Sequence, residues 1–172
     1  MTQRLKKGIV LQMQKKLRVG WFTFSCSEDS TILLTEIMND HYLEWKKLID
    51  FRTIGVLQKR DDHADFDVVF IEGAITSDTQ AEKLKDIRSR AKKLIAVGAC
   101  AVIGMPSAQR NNFDPAKKKE IEPILMRFKY APMVRRVSDV VKVDAVVPGC
   151  PMDETTFLKI VTSALKEFGI IE

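Results

Sequence analysis

The sequence predicts a doubly wound α/β domain: a parallel sheet of about five strands with helices on both faces. Three observations carry this. Short apolar runs of strand length alternate along the chain with amphipathic stretches of helical period, as strand–helix–strand units do. Two of the runs, "FDVVFIEGA" (66–74) and "KKLIAVGAC" (92–100), are apolar on successive residues and carry glycine near their ends, as strands buried on both faces do. One round of this alternation uses the 172 residues with no internal repeat and no linker, so a single domain over 17–172 follows a short arm at 1–16.

Taken in order, "LRVGWFTFS" (17–25) is the first strand, and Leu34, Ile37, Met38, His41, Trp45 and Leu48 follow at helical spacing. "RTIGVLQ" (52–58) is a weak second strand and 66–74 the third. Ser77 with Gln80 resembles a capping box, and Ala81, Leu84, Ile87 and Ala91 give the next helix its buried face. The run 92–100 is the fourth strand. Asp114 before Pro115 fits an N-cap with proline at the first helical position; Ile121, Ile124, Leu125 and Phe128 continue a helical pattern that Pro123 is expected to break or kink. "VDAVVPGC" (143–150) is the last strand, and Phe157, Ile160, Val161, Ala164, Leu165 and Phe168 form an amphipathic helix from about Asp153. Residues 101–116, "AVIGMPSAQRNNFDPA", are expected to be irregular, and long loops often carry function.

The composition, 45% hydrophobic and 30% charged, is that of an ordinary globular domain. No apolar run approaches the ~20 residues of a membrane helix, and Gln12 and Gln14 interrupt any signal-like core. The expectation is a cytoplasmic protein with no membrane insertion. The net charge is +5, yet residues 1–18 hold six Lys/Arg and no acid, while the remainder has 22 basic and 23 acidic residues. The excess therefore belongs to the arm, which suits either an acidic partner surface or a solvated tail. With no interleaved aromatic or base-reading motif, nucleic acid is not expected.

Three cysteines, Cys26, Cys100 and Cys150, lie far apart in sequence, and no CxxC occurs. An odd count without close pairs argues against a disulfide framework, a zinc ribbon and a thioredoxin-like motif. Three buried structural cysteines would be the ordinary outcome. Their positions point elsewhere: Cys26 follows the first strand, Cys100 ends the fourth and Cys150 ends the last. In an open parallel sheet, ligands bind outside the carboxyl ends of the strands, near the point where strand order reverses. In a flavodoxin-like order the three thiols converge on one crevice. Glycine beside the thiol in "GAC" and "PGCP" lets backbone approach a bulky group. Three thiolates suit soft iron or zinc; an iron–sulfur cubane needs a fourth ligand, and Glu28 and Asp29 stand at the tip of the first strand beside Cys26.

The segments "SCSEDSTILLTE", "FDVVFIEGAI", "GACAVIGMPSAQRN" and "VPGCPMDE", in this order over about 17–153, resemble the small, cluster-bearing subunit of nickel–iron hydrogenases and the related 20 kDa subunit of respiratory complex I. That resemblance implies a flavodoxin-like fold and one [4Fe–4S] cluster held by Cys26, Cys100 and Cys150. It implies a hydrogenase large subunit as partner, with further iron–sulfur or flavin subunits as electron acceptors, and no nickel in this chain. It also implies a subunit of an oxidoreductase that is not catalytic alone. Where the hydrogenase branch usually has CxxC after the first strand, this chain has Asp29 at the second position, as the coenzyme F420-reducing type does. In the register of the complex I branch, which has two adjacent cysteines, Ser25 would fill the missing position. A third reading has Asp29 merely capping the next helix. Further cysteines for additional clusters are absent downstream of Cys150, so one cluster is the expected maximum.

Other residues stay open. Glu72 is either close to the cluster or an ordinary polar rim residue; Glu28 is either a relay or partner-binding acid or a plain loop acid. His41 is expected to pack rather than ligate, and "PSAQRN" (106–111) to touch either the large subunit or the cluster sulfides. Three other functions compete: a complex I-like oxidoreductase whose partner lacks nickel, an FMN-binding flavodoxin-like protein, suggested by Ser25, Ser27, Ser30 and Thr31 after the first strand, and a scaffold subunit without a cluster. Glu28 and Asp29 oppose the second, because they would repel a phosphate.

Overall fold

The computed structural model describes residues 15–61 and 63–172. Most of the basic arm therefore lies outside the described residues. Five strands, β1 (Leu17–Thr23), β2 (Ile49–Ile54), β3 (Phe66–Glu72), β4 (Ala91–Val97) and β5 (Ala145–Val147), form one sheet in the order β2-β1-β3-β4-β5, and every neighbouring pair is parallel. This is the flavodoxin-like order, with the reversal between β1 and β3. No helix among the described residues is long and apolar enough to cross a membrane.

Period-two alternation along the central strands divides the core into two layers. Val19, Trp21, Val68, Phe70, Ile95 and Val97 face α1 (Asp29–Asp40), α2 (Tyr42–Leu48) and α6 (Glu154–Glu167), meeting Leu34, Ile37, Trp45, Phe157 and Val161. Val69, Ile71, Leu94 and Ala96 face the other way, joined by Phe66 at the start of β3, where the alternation does not hold, onto Ala81, Leu84 and Ile87 of α3 (Asp78–Ser89) and Ala101 of α4 (Gly98–Ile103). All seven residues of β3 are buried, as a strand covered on both faces requires.

Several expectations are revised. The helix over 34–48 is two helices that break at His41, where the weak helix formers Asn39 and Asp40 end α1; the His41 ring stacks on Trp45 at 5.3 Å. The strand predicted over 92–100 stops at Val97. Gly98, at φ +81, turns the chain directly into α4, so Cys100 lies in the first turn of a helix rather than at a strand end. The stretch 101–116 is ordered as the rest of α4 and a 3-10 turn at Ser107–Asn112. Ala91 opens β4 instead of closing a helix face, and the last strand shrinks to three residues. Asp114 caps α5 (Pro115–Arg127) by accepting the Lys117 N–H at 2.9 Å, as expected, but Pro123 does not break it. No residue of α5 is buried, so water can serve the Lys119 carbonyl that proline leaves unbonded.

At the opposite edge of the sheet, buried Asp67 ties the starts of three strands. Its carboxylate accepts Arg18 N and Nε at 3.1 Å, Arg18 Nη2 at 3.0 Å and Lys92 Nζ at 2.8 Å. Burial alone pushes this acid up, but the bonds from Arg18 and then Lys92 outweigh it and hold the carboxyl well below the usual range. A depressed folded-state value gives stability that is complete above the unfolded value of about 3.9 and is lost as pH falls through the folded one. Replacing Asp67 with Asn is expected to cost about 2 kcal/mol at pH 7. In urea unfolding at pH 7 and pH 3, the gap between the two proteins should narrow in acid; a gap that widens would contradict this account.

Candidate metal centre

Each cysteine comes three residues after its strand ends: Cys26 after Thr23 of β1, Cys100 after Val97 of β4, Cys150 after Val147 of β5. All three are free thiols. They line one concavity at the carboxyl edge of the sheet, together with Asp29, Ser30, Glu72 and the glycines Gly73, Gly98 and Gly149. Cys26 and Cys100 pack in one small apolar cluster with Ala74 and Val134, while Cys150 is exposed.

The concavity is knit by hydrogen bonds within the protein. Glu72, the last residue of β3 and only 3% exposed, accepts the Ser30 N–H at 3.0 Å and the Thr31 hydroxyl at 2.5 Å. Thr31 in turn accepts the Trp21 indole N–H at 2.8 Å. The residue flanking the helix start, Glu28, is left-handed (φ 65) and offers no side-chain cap, so a carboxylate from a different strand serves the first turn of α1. The Ser30 hydroxyl accepts the Met152 N–H at 3.2 Å, fixing the loop that carries Cys150. Ala99 N–H donates to the Gly149 carbonyl at 2.7 Å, fixing that loop to α4. Gly149 has φ +105, and a Cβ there would stand 2.5 Å from the Pro151 carbonyl, so only glycine allows this turn.

Asp29 opens α1, and its carboxylate accepts the Ser27 hydroxyl at 2.7 Å and faces the Cys150 thiol at 3.7 Å. Ser25 points elsewhere. Its hydroxyl bonds Thr76 at 2.8 Å and the Gln80 amide at 3.1 Å, and it does not line the concavity. Glu28 is exposed; its backbone N–H donates to Cys26 Sγ at 3.4 Å. Within "PSAQRN", the Ser107 hydroxyl lies 3.3 Å from Cys100 Sγ and 3.2 Å from the Ser25 carbonyl. Sequence reasoning missed Ser30 as the hub of this lattice; its only signal was a place in a hydroxyl-rich loop.

Burial pushes the Cys26 thiol up to about 12, reinforced by the Glu72 carboxyl and only partly offset by the Glu28 N–H. Burial, and then the bond to Asp29, also raise Cys150. Burial likewise raises Glu72, with the Thr31 and Ser30 bonds opposing it. No Lys, Arg or His is among the lining residues, so no side-chain charge in the wall favours thiolate. A bound cation reverses that balance, because it favours the charged form of every donor around it. Three thiols and a carboxylate are thus a donor set suited to an iron–sulfur group. Among the described residues, no three Cys, His, Asp or Glu side chains close on a point as the ligands of a single ion do.

The fold and this rim of thiols define a doubly wound parallel α/β protein with a candidate metal centre at the carboxyl edge of its sheet. Residues 26–164 match the family described as NADH ubiquinone oxidoreductase, 20 Kd subunit, and the chain belongs to that family. It is 27% identical to a subunit of the F420-non-reducing hydrogenase of Methanothermobacter marburgensis, over 90% of this chain and 55% of the relative. It is 32% identical to the delta subunit of the NAD-reducing hydrogenase HoxS of Cupriavidus necator, over 53% of this chain and 51% of that one. The chain spans about half the length of these curated relatives. A chain in the crystal structure of an NAD+-reducing NiFe hydrogenase in the H2-reduced state superposes with a TM-score of 0.77 at 22% identity, covering 89% of this chain and 93% of that one. The relatives are hydrogenase subunits, which are parts of oxidoreductase complexes.

In metal-free protein, the raised Cys26 thiol is expected to alkylate at pH 7 at least ~10-fold more slowly than an unhindered cysteine, because the thiolate is the nucleophile. Its rate should climb with pH toward about 12. A Cys26 that reacts at the ordinary rate, followed by mass spectrometry of the labelled peptide, would contradict the electrostatic reading of the site.

Proposed function

We propose that this chain is the electron-transfer small subunit of a cytoplasmic nickel–iron hydrogenase. It would hold one [4Fe–4S] cluster through Cys26, Cys100, Cys150 and Asp29, and pass electrons between a large subunit bearing the nickel–iron centre and further iron–sulfur or flavin subunits. The observation that carries this reading is the convergence of three thiols and one carboxylate, from residues as far apart as 26 and 150, on one concavity. The cluster would supply one-electron transfer. The chain's own residues hold it, orient it and limit water at its inner side, where Cys100 and Glu72 are buried. No nickel is assigned to this chain, which has too few thiols to build a second centre, and no hydrogen turnover is assigned to it alone.

Asp29 is assigned as the fourth ligand. Supporting this, its carboxylate lines the concavity and faces Cys150, whereas Ser25 does not line it and bonds Thr76 and Gln80 instead. A carboxylate is a harder and weaker donor than thiolate, so the potential would respond to its replacement. A flavin phosphate at the start of α1 is disfavoured, since Glu72 already occupies the Ser30 N–H. The description of the matched family supports a second reading, a complex I-like oxidoreductase whose partner lacks nickel. Metal analysis of the co-purified large chain separates the two.

Anaerobically prepared protein is expected to contain about four iron and four sulfide per chain. A stoichiometric zinc without sulfide would reject the cluster. Asp29→Cys should retain the cluster and lower its potential; Asp29→Ala should lose iron faster in air. Ser25→Ala should leave the spectrum unchanged, and loss of the cluster in that variant with an intact one in Asp29→Ala would overturn the ligand assignment.

A further inference from the structure

Helix α5 shows the apolar period of a core helix but has no core. Ile121, Ile124, Leu125 and Phe128 recur on one face, yet none is buried: Ile124 is 55% exposed and Phe128 58%. Tyr130 and Met133, 43% and 49% exposed, follow the helix end. Single exposed apolar side chains are ordinary, but Ile124 and Phe128 share one helix face and the Phe128 ring lies 6.2 Å from the Tyr130 ring, a ridge of the kind that marks an interface. The ridge is firmly held. Arg110 donates to the Ala131 carbonyl at 2.7 Å with its guanidinium 5.6 Å from the Tyr130 ring. Ala131 N–H bonds the Thr76 carbonyl at 2.8 Å, and Asn111 bonds both the N–H and the carbonyl of Val134 at 2.8 Å.

The charge around the ridge identifies what fits it. Between 115 and 133 the chain carries Lys117, Lys118, Lys119, Arg127 and Lys129 against only Glu120 and Glu122. The lysines of the first turn and both cations at the C-terminal end are exposed. We infer that α5 and its exit to Met133 are the docking surface for a separate protein chain that presents an apolar pocket bordered by Asp and Glu. A second copy of this chain would bring the same cations face to face, at a repulsive cost. The ridge ends beside Val134, which packs against Cys100, so the docked chain would sit next to the metal centre. The inference stands on the exposed helix and its charge and does not require the centre to hold iron.

The test uses the chain in its native complex, with the photo-crosslinker p-benzoylphenylalanine placed at Ile124. Irradiation is expected to join it to a different polypeptide, at a peptide richer in Asp and Glu than in Lys and Arg. The variants Phe128→Ser and Lys117→Glu/Lys118→Glu/Lys119→Glu change only exposed residues, so the core remains intact. Each should weaken retention of that polypeptide at least tenfold, the charge variant more strongly at low salt, while the iron content of this chain is unchanged. A crosslink to a second copy, to nucleic acid or to a non-acidic peptide would overturn the inference. So would no crosslink together with both variants retaining their partners like the native chain.

Discussion

The candidate centre depends on one buried carboxylate. Glu72 ends the central strand, and a charge taken out of water there is costly unless it is fully hydrogen-bonded. Its bonds to Ser30 and Thr31 in the first turn of α1 offset part of that cost, although burial still raises it. The same bonds therefore secure the acid and set where α1 begins. Once α1 is placed, Asp29 stands over the Cys150 loop and the Ser30 hydroxyl reaches the Met152 N–H. The donors are held in register by protein bonds, which would leave a bound group little ordering to impose.

The electrostatics of the wall complement that geometry. Thiols and acids gather with no cationic side chain among the lining residues, and burial together with the neighbouring acids raises Cys26 and Cys150. An arrangement that penalises negative charge when empty gains most from a cation when filled, and couples loading to proton release. The opposite pattern appears at Asp67, where Arg18 and Lys92 neutralise a buried acid outright, as a structural ion pair requires.

Much of the architecture was legible in the sequence. The apolar run at 66–74 and the helical period after Asp153 read directly as β3 and α6, and alternation led to the parallel sheet order that is observed. The three cysteines were legible as one constellation because strand ends are readable to within a few residues. Less was legible where a single backbone angle decides. Gly98 at φ +81 moved Cys100 from a strand end into a helix, and no periodicity announces that turn. The role of Glu72 was left between two readings because its partners, Ser30 and Thr31, are about forty positions away. The helical period of α5 was legible despite Pro123, but a period tells which face is apolar and not whether anything within the chain covers it.

An anaerobic crystal structure of the complex, at a resolution that separates individual irons, tests the central claim directly. The account predicts one cluster bonded by the sulfurs of Cys26, Cys100 and Cys150 and by a carboxylate oxygen of Asp29, with Glu72 still bonded to Ser30 and Thr31. A single metal ion in the concavity would contradict it, as would a cluster whose fourth iron is met by Ser25, or by no residue of this chain, while Asp29 remains on Ser27.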